Sequence, residues 1–316
     1  MLHSIFRLVC ALLLASLPLS ASAADYPDKP VQMVVPFNPG GGSDLVIRLI
    51  EKEFAREFGQ PLTFVYKPGA SGAVGITELK STKPDGYTLA SQSYPHIIIQ
   101  EISGSGNFAV DDFDYIGMFA TDDIFFAVRK KSRFHTLEEF IAAAREKPNT
   151  LSVATTDTMG CSHMAALKYK SLGIPVNLIT YTGGAKAIAA LLGGQVDALM
   201  VVKSVAVPAL SKLNLLAVCN TTRDALLSDV PTFAEKGYDI VQFNGRLILA
   251  PKGLPVDVKK RLTDGLVAVY SDPDVAARAK NSGYDIKIAD GDAVKKMFDD
   301  FRDEAGKLVK LAQSLK

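Results

Sequence analysis

The stretch VQMVVPFNPGGGSD, residues 31–44, decides how this chain folds. Apolar residues 31–35 predict a strand, two prolines and three glycines come next, and the apolar positions after Asp44 have helical spacing. Glycine lets the backbone turn sharply and lets a ligand approach it closely. The first amides of a helix have no partner inside the helix and favour negative charge. The stretch therefore predicts a strand, a glycine loop and a helix capped by Ser43 or Asp44, an arrangement that can bind an anion.

The glycine loop matches neither of the two common phosphate-binding patterns. Leu45 stands where the third spaced glycine of the dinucleotide fingerprint would fall, and no lysine follows the glycines as a phosphate loop requires. A carboxylate fits the loop as well as a phosphate does. Two interpretations stay open, an anion site and a plain strand-to-helix turn. If an anion binds, the negative charge of Asp44 disfavours direct contact with it, and a water molecule is expected between Asp44 and the anion.

Residues 1–23 are predicted to be a cleavable signal peptide. Arg7 precedes an apolar run over 8–19, and Ala21-Ser22-Ala23 matches the small-x-small cleavage pattern. The apolar run is too short for a comfortable membrane span. Because the first 23 residues hold one basic and no acidic side chain, residues 24–316 carry no net charge. No basic excess points to nucleic acid, so no nucleic-acid partner is predicted.

Two series of alternating strands and helices indicate an α/β protein with parallel sheets. The strand–helix pattern occurs three times in the first hundred residues, and a second series begins at Leu151. Residues 113–128 are interpreted as two strands that cross between domains. Three C-terminal helices are expected to pack on the first domain without adding a strand. The predicted divisions are 24–122 and 242–316 for the first domain and 123–241 for the second.

Ligands of open parallel sheets bind at the carboxyl ends of the strands. Three such ends in the first domain are polar or rich in glycine, over 38–44, 67–73 and 91–96. In the second domain the corresponding loops cover 155–163 and 182–185. The candidate cleft is therefore expected where these loops meet.

No catalytic, metal or cofactor site is predicted. Cys161 and His163 are the candidate nucleophile and base, but residues two apart on a helix do not face each other and no third orienting group is evident. No group of His, Cys and carboxylate side chains has metal-ligand spacing. Cys161 and Cys219 are expected to be free thiols.

Seven short strings in order resemble one known family. They are YPDKP at 26–30, VPFNPGGGSD at 35–44, KPGASG at 67–72, PDGYTL at 84–89, LGGQVD at 192–197, DVPT at 229–232 and APKG at 250–253. Behind a secretion signal, this series resembles the Bug-type extracytoplasmic receptors of tripartite tricarboxylate transporters. The resemblance covers essentially the whole mature chain.

The resemblance implies two doubly wound α/β domains in a clamshell, a type II periplasmic-binding-protein-like fold with the ligand cleft between the domains. It implies a periplasmic receptor, monomeric, that captures a small organic carboxylate by hinge closure, with di- or tricarboxylates favoured. The membrane permease subunits of the transporter would be its partners. In the family, the loop similar to 37–44 holds one ligand carboxylate through backbone groups and bridging waters. Loops similar to 160–163 and 181–185 face it from the other domain.

The candidate ligand-binding residues come from these loops and strand ends. In the first domain they are Phe37, Pro39, Gly40, Gly41, Ser43, Asp44, Ser91, Ser93 and His96. In the second domain they are Thr156, Gly160, Ser162, His163, Tyr181, Gly183, Gly184 and Ala185. The polar residues after the third strand, Ser91, Ser93 and His96, can equally reflect ordinary loop composition.

Two basic residues complete the candidate set. Lys203 follows an apolar strand and is either a solvated strand end or the counter-charge for a second ligand carboxylate. Arg246 interrupts an apolar strand, and a buried Arg is rare unless it is paired. Arg246 therefore forms either an inter-domain salt bridge or a bidentate carboxylate clamp. Lys203 stands in a region where the family often has an acidic residue, which argues against a ligand amino group.

Two alternatives to a transport receptor stay open. A sensory receptor that presents its ligand to a membrane signalling partner would use the same clamshell. A secreted enzyme acting on a carboxylate would need a nucleophile–base pair, and the sequence offers none beyond Cys161 and His163.

Overall fold

The computed structural model describes residues 26–315, and the predicted signal peptide lies outside them. The described residues form ten strands and eleven α-helices. The strands are β1 (Val31–Val35), β2 (Leu62–Tyr66), β3 (Thr88–Tyr94), β4 (Phe113–Arg129), β5 (Ser152–Thr155), β6 (Asn177–Thr180), β7 (Ala198–Val202), β8 (Leu213–Val218), β9 (Phe243–Pro251) and β10 (Asp285–Asp290). The helices are α1 (Gly42–Arg48), α2 (Glu51–Phe58), α3 (Ala73–Lys80), α4 (His96–Ser103), α5 (Leu137–Glu146), α6 (Cys161–Ser171), α7 (Gly184–Leu192), α8 (Lys203–Ala206), α9 (Val256–Tyr270), α10 (Pro273–Asn281) and α11 (Gly291–Ser314).

Strand β4 belongs to two sheets. Its first part forms the first sheet with β1, β2, β3, β9 and β10, and its last part forms the second sheet with β5, β6, β7 and β8. We call the elements around these sheets the first lobe and the second lobe. β1 is parallel to β2 and β3, and β5 is parallel to β6 and β7. These are the parallel pairings that the two strand–helix series predict.

Helices cover both faces of each sheet. In β1, Val31, Met33 and Val35 face the core beneath α2 and α9, while Val34 faces the core beneath α3 and α11. In the second sheet, one core includes residues of α5 and α6 and the other includes residues of α7. This is the doubly wound arrangement, and the predicted α/β fold class is confirmed.

The sequence predicts two strands over residues 113–128, and the structure has one. All but the last of the 17 residues of β4 are buried, including the polar Thr121, Asp122 and Asp123. The strand continues through the aspartates because both carboxylates find partners. Ser204 donates to Asp122, and the Asn220 amide donates to Asp123.

The C-terminal part contains a strand that the sequence analysis missed. β10 lies between α10 and α11 and pairs antiparallel with β4, so the expectation of three helices without a further strand is wrong. The residues of β10 are half-buried or exposed. No face of the strand is fully buried, so the alternation of apolar and polar residues along it is weak. Pairing with β4 decides the conformation of such a segment.

The same region carries the longest helix. α11 spans 24 residues, and its buried face packs on the first lobe through Val294, Phe298 and Phe301. Across residues 26–315, no helix combines the length and the apolar character needed to cross a membrane.

Candidate functional site

A cavity of about 740 Å³ lies where the carboxyl ends of strands from both sheets meet. Its walls are loops that follow β1, β2 and β3 in the first lobe and β5 and β6 in the second. Ten of the predicted residues line it: Phe37, Pro39, Gly40, Gly41, His96, Thr156, Tyr181, Gly183, Gly184 and Ala185. The cavity therefore lies where the strand ends predict a cleft.

Several lining residues are absent from the predicted set. They are Pro36, Asn38, Pro68, Gly69, Ser71, Gly72, Asp157, Thr158, Thr182 and Lys186. Those at 68–72 belong to a loop that the sequence analysis had marked as a polar strand end. Asp157 and Lys186 are the charged members, and each directly follows a predicted residue. Their position in the predicted loops could therefore have indicated that they line the cavity.

The glycine loop is held from behind by Asp44. The helix α1 begins after Gly41 without a side-chain cap, so the expected capping by Ser43 or Asp44 is wrong. The Asp44 carboxylate instead accepts hydrogen bonds from the Gly40 amide at 2.8 Å and from the Tyr66 hydroxyl at 2.8 Å, and it also pairs with Arg48. Asp44 is buried and does not line the cavity. Its role is to fix the loop rather than to face a ligand.

Asp157 fixes the corresponding loop of the second lobe. Its carboxylate accepts from the Ser162 hydroxyl at 3.1 Å and from the His163 amide at 3.4 Å, at the start of α6. A Cβ on Gly160 would come within 2.5 Å of the Asp157 carboxyl carbon, so glycine leaves room for this contact. Gly160, Ser162 and His163 thus build the loop, while Thr156 and Asp157 line the cavity.

The geometry around Cys161 does not support a nucleophile–base pair. The His163 Nδ1 atom accepts a hydrogen bond from the Met159 amide at 3.0 Å. Burial raises the pKa of the Cys161 thiol well above its ordinary value, so the thiol stays protonated at neutral pH. Cys161 and Cys219 are both free and buried.

His96 begins α4 and lines the cavity from the first lobe. Its side chain is largely buried, with 8% of the residue exposed, and its Nε2 atom has no hydrogen-bond partner among the described residues. The Phe37 ring lies beside it at a centroid distance of 6.1 Å. Burial lowers the pKa of His96. The positive charge of Arg246 lowers this pKa further, and the negative charge of Asp157 acts in the opposite direction. The imidazole is therefore neutral near pH 7.

Arg246 lies behind the glycine loop and not on the cavity wall. Its guanidinium pairs with Asp122 at 3.2 Å and donates to the hydroxyls of Ser43 and Ser93 at 3.3 Å. Burial raises the pKa of Asp122, against the opposing effect of Arg246. This placement corrects the carboxylate-clamp interpretation, because the guanidinium is buried off the cavity wall and its two Nη atoms already bond within the protein. Ser91 is buried in β3 and lies outside the cavity wall as well.

Lys203 is also outside the cavity, which contradicts its expected role as a ligand counter-charge. Its side chain has no exposed surface, and Nζ lies 2.5 Å from carboxylate oxygens of both Asp224 and Asp285. Together with Asp123, these two aspartates bring carboxylate oxygens within 4.8 Å of one another. The ammonium supplies positive charge to this acidic cluster and links the second lobe to β10 of the first.

The comparisons with known proteins agree with this architecture. The family model of the tripartite tricarboxylate transporter family receptor matches residues 46–313. A protein of Cupriavidus necator described as the UPF0065 protein in the gbd 5′ region is 32% identical over 258 residues, covering 80% of this chain and 78% of that protein.

Two solved structures share the whole fold. Periplasmic binding protein BugD superposes with a TM-score of 0.77 at 27% identity, covering 91% of this chain and 99% of its own. MatC from Rhodopseudomonas palustris with bound malate superposes with a TM-score of 0.76 at 25% identity, covering 90% of this chain and 100% of its own. The matched family consists of receptors and not of enzymes. This chain therefore belongs to the Bug-type receptor family of tripartite tricarboxylate transporters, and it is a solute-binding receptor.

Proposed function

We propose that this chain captures a small organic carboxylate in the periplasm and delivers it to the membrane permease subunits of a tripartite tricarboxylate transporter. The observation that carries the proposal is the cavity shared by the two lobes. Its first-lobe wall holds the glycine loop 37–41, and its second-lobe wall holds the first turn of α7. Di- or tricarboxylates are favoured because an elongated polyanion can reach both walls.

Closure of the lobes follows from this arrangement. Each lobe supplies part of the hydrogen bonds, so a ligand binds the closed state better and shifts the equilibrium by its differential affinity for the two states. A helix N-terminus stabilises a bound anion by about 0.3–1 kcal/mol, and by up to about 2 kcal/mol when the site is partly buried. Closure excludes water from the cavity, and the lower dielectric strengthens these electrostatic contacts.

Several observations support the location and the domain division. Residues 1–23 have the pattern of a signal peptide, and BugD is described as a periplasmic binding protein. β4 runs from the first sheet into the second, and the chain returns to the first sheet at β9, which supports a first domain of 24–122 and 242–316 and a second of 123–241. MatC, with malate bound, supports a carboxylate as the ligand class. The proposed receptor acts as a monomer.

The test is a thermal-shift screen of residues 24–316, refolded from denaturant to remove bound ligand. The panel contains mono-, di- and tricarboxylates, aromatic acids and amino acids. A ligand at 100 times its dissociation constant adds about 2.7 kcal/mol of stability, which raises the melting temperature by several degrees. We expect di- or tricarboxylates to give the largest shifts. A refolded protein that responds to no carboxylate would refute the proposal.

Delivery to a permease needs a second measurement in cells. A strain that lacks this chain should lose uptake of the radiolabelled ligand, and the gene supplied in trans should restore it. Normal uptake combined with failure to induce the uptake genes would indicate a sensory receptor instead.

A further inference from the structure

Among residues 26–315, one side chain brings positive charge to the cavity wall. Lys203 and Arg246, the expected cations, are buried in ion pairs outside the cavity. Lys186 lines the cavity, is exposed, and forms no ion pair with the described residues. Its ammonium is therefore available to a ligand.

Lys186 lies in the first turn of α7, a helix of nine residues. The amides of Gly184, Ala185 and Lys186 have no acceptor within the helix, and all three residues line the cavity. The backbone and the side chain thus favour negative charge at the same place on the second lobe.

An independent observation on the first lobe also points to a ligand. The Nε2 atom of His96 is buried and has no hydrogen-bond partner within the described part of the chain, although His96 lines the cavity. A buried polar atom without a hydrogen bond costs about 1–3 kcal/mol. A ligand oxygen held beside the glycine loop would supply the missing partner. Since burial keeps the imidazole neutral, His96 offers a hydrogen bond and not a charge.

Asp157 limits where a second anionic group can lie. Asp157 lines the second-lobe wall, and its negative charge repels an anionic group placed beside it. On this wall, Lys186 and the first amides of α7 favour an anion, whereas Asp157 disfavours one. The two walls thus differ, with a neutral hydrogen-bonding side chain on the first lobe and a cation on the second.

From these contacts we infer that Lys186 determines specificity for dicarboxylates by binding the second carboxylate, while His96 binds an oxygen of the first. The inference rests on the proposed function and assigns its ligand class. A monocarboxylate then uses only the first-lobe contacts. Loss of Lys186 weakens dicarboxylates selectively, whereas loss of His96 weakens both classes.

The experiment is isothermal titration of refolded residues 24–316 with succinate, malate and adipate, each paired with its monoamide. The monoamide keeps the length of the acid and removes one charge. We expect Lys186→Gln to lower the affinity for the dicarboxylate about tenfold or more, as for a lost charge-assisted hydrogen bond, and to leave the monoamide unchanged. His96→Gln should lower both affinities by a similar factor.

Lys310→Gln is the matched control, because Lys310 is also exposed and lies in α11 away from the cavity. Melting without ligand verifies that each variant is folded, and His96→Asn provides a second substitution at the buried site. Equal losses for the two ligands in Lys186→Gln, or no loss, would overturn the inference and leave the receptor function intact. A wild-type protein that binds neither ligand class in the screen would overturn both.

Discussion

At the scale of single residues, the pairing of buried charges decides which side chains can face a ligand. Lys203 shows this clearly. Burial by itself lowers the pKa of Lys203, but hydrogen bonds and charge from Asp224 and Asp285 raise it above its ordinary value. The ammonium therefore stays charged at neutral pH, and its charge neutralises Asp224 and Asp285 instead of facing a ligand.

Replacing Lys203 with Met should destabilise the fold. The change leaves Asp224 buried and facing Asp285 without the cation, and breaking a buried ion pair in this way costs about 3–5 kcal/mol. We expect the lower end of this range, because the Asp285 side chain is 37% exposed. Urea unfolding of Lys203→Met beside Lys310→Met measures the difference. A loss below about 1 kcal/mol, the level of a surface pair, would contradict a structural role.

The same variant separates the structural role from the ligand role that the sequence suggested. In a folded Lys203→Met protein, we expect the affinities for a dicarboxylate and for its monoamide to change equally or not at all. A selective loss of the dicarboxylate would return Lys203 to the binding site.

At the scale of elements, β10 is placed by a close contact with the second lobe. Gly283 precedes β10 with φ +83°, and a Cβ there would lie 2.8 Å from the Ser204 Cα atom and 2.9 Å from its nitrogen. Asp285 then pairs with Lys203, the neighbour of Ser204. A glycine and an ion pair thus join the two lobes at the same place.

Gly283→Ala should cost more than a glycine substitution of similar backbone geometry. Gly59 has φ +68° and open space at its Cβ position, so Gly59→Ala should cost only the left-handed conformation, about 1–2 kcal/mol. Gly283→Ala adds the clash with Ser204, which brings a further cost of about 1–3 kcal/mol. Urea unfolding of both variants compares them. Equal losses would show that the Ser204 backbone yields to the added methyl group.

At the scale of the whole molecule, the lobes are joined by one long strand and by ion pairs on different elements. β4 runs through both sheets, β9 pairs with its first part, and Lys203–Asp285 connects the lobes nearby. Lys168 of α6 donates to the Val241 carbonyl at 2.7 Å and pairs with Glu304 of α11 at 2.9 Å. The proposed closure of the lobes would take place about these connections.

Ligand binding should make the molecule more compact. A compact chain of this length has a radius of gyration of about 19 Å, and closure of the lobes should bring the protein toward that value. Small-angle X-ray scattering of residues 24–316 with and without a ligand from the screen measures the change. A panel compound that produces no thermal shift is the control. Identical scattering at saturating ligand would mean that the ligand binds without closure.

The strand–helix alternation, the glycine loop and the regions of the cleft can be predicted from local sequence. These features rest on residues close together in the chain, such as the glycines at 40–42 after β1 and the polar segments after β3 and β5. The ordered strings from 26–30 to 250–253 were also enough to indicate the family. Hydrophobic period and turn chemistry carry this information over short distances.

Which charged side chains are available to a ligand depends on contacts between distant parts of the chain. Lys203 meets Asp285 82 residues away, and Arg246 meets Asp122 124 residues away, so neither pair has a local pattern. The same holds for β10, whose conformation depends on pairing with β4. Lys203 and Arg246 are buried in ion pairs and do not line the cavity. Lys186 is exposed on the cavity wall. Charge is a property of the sequence, but its availability to a ligand depends on the partners that the fold brings within reach.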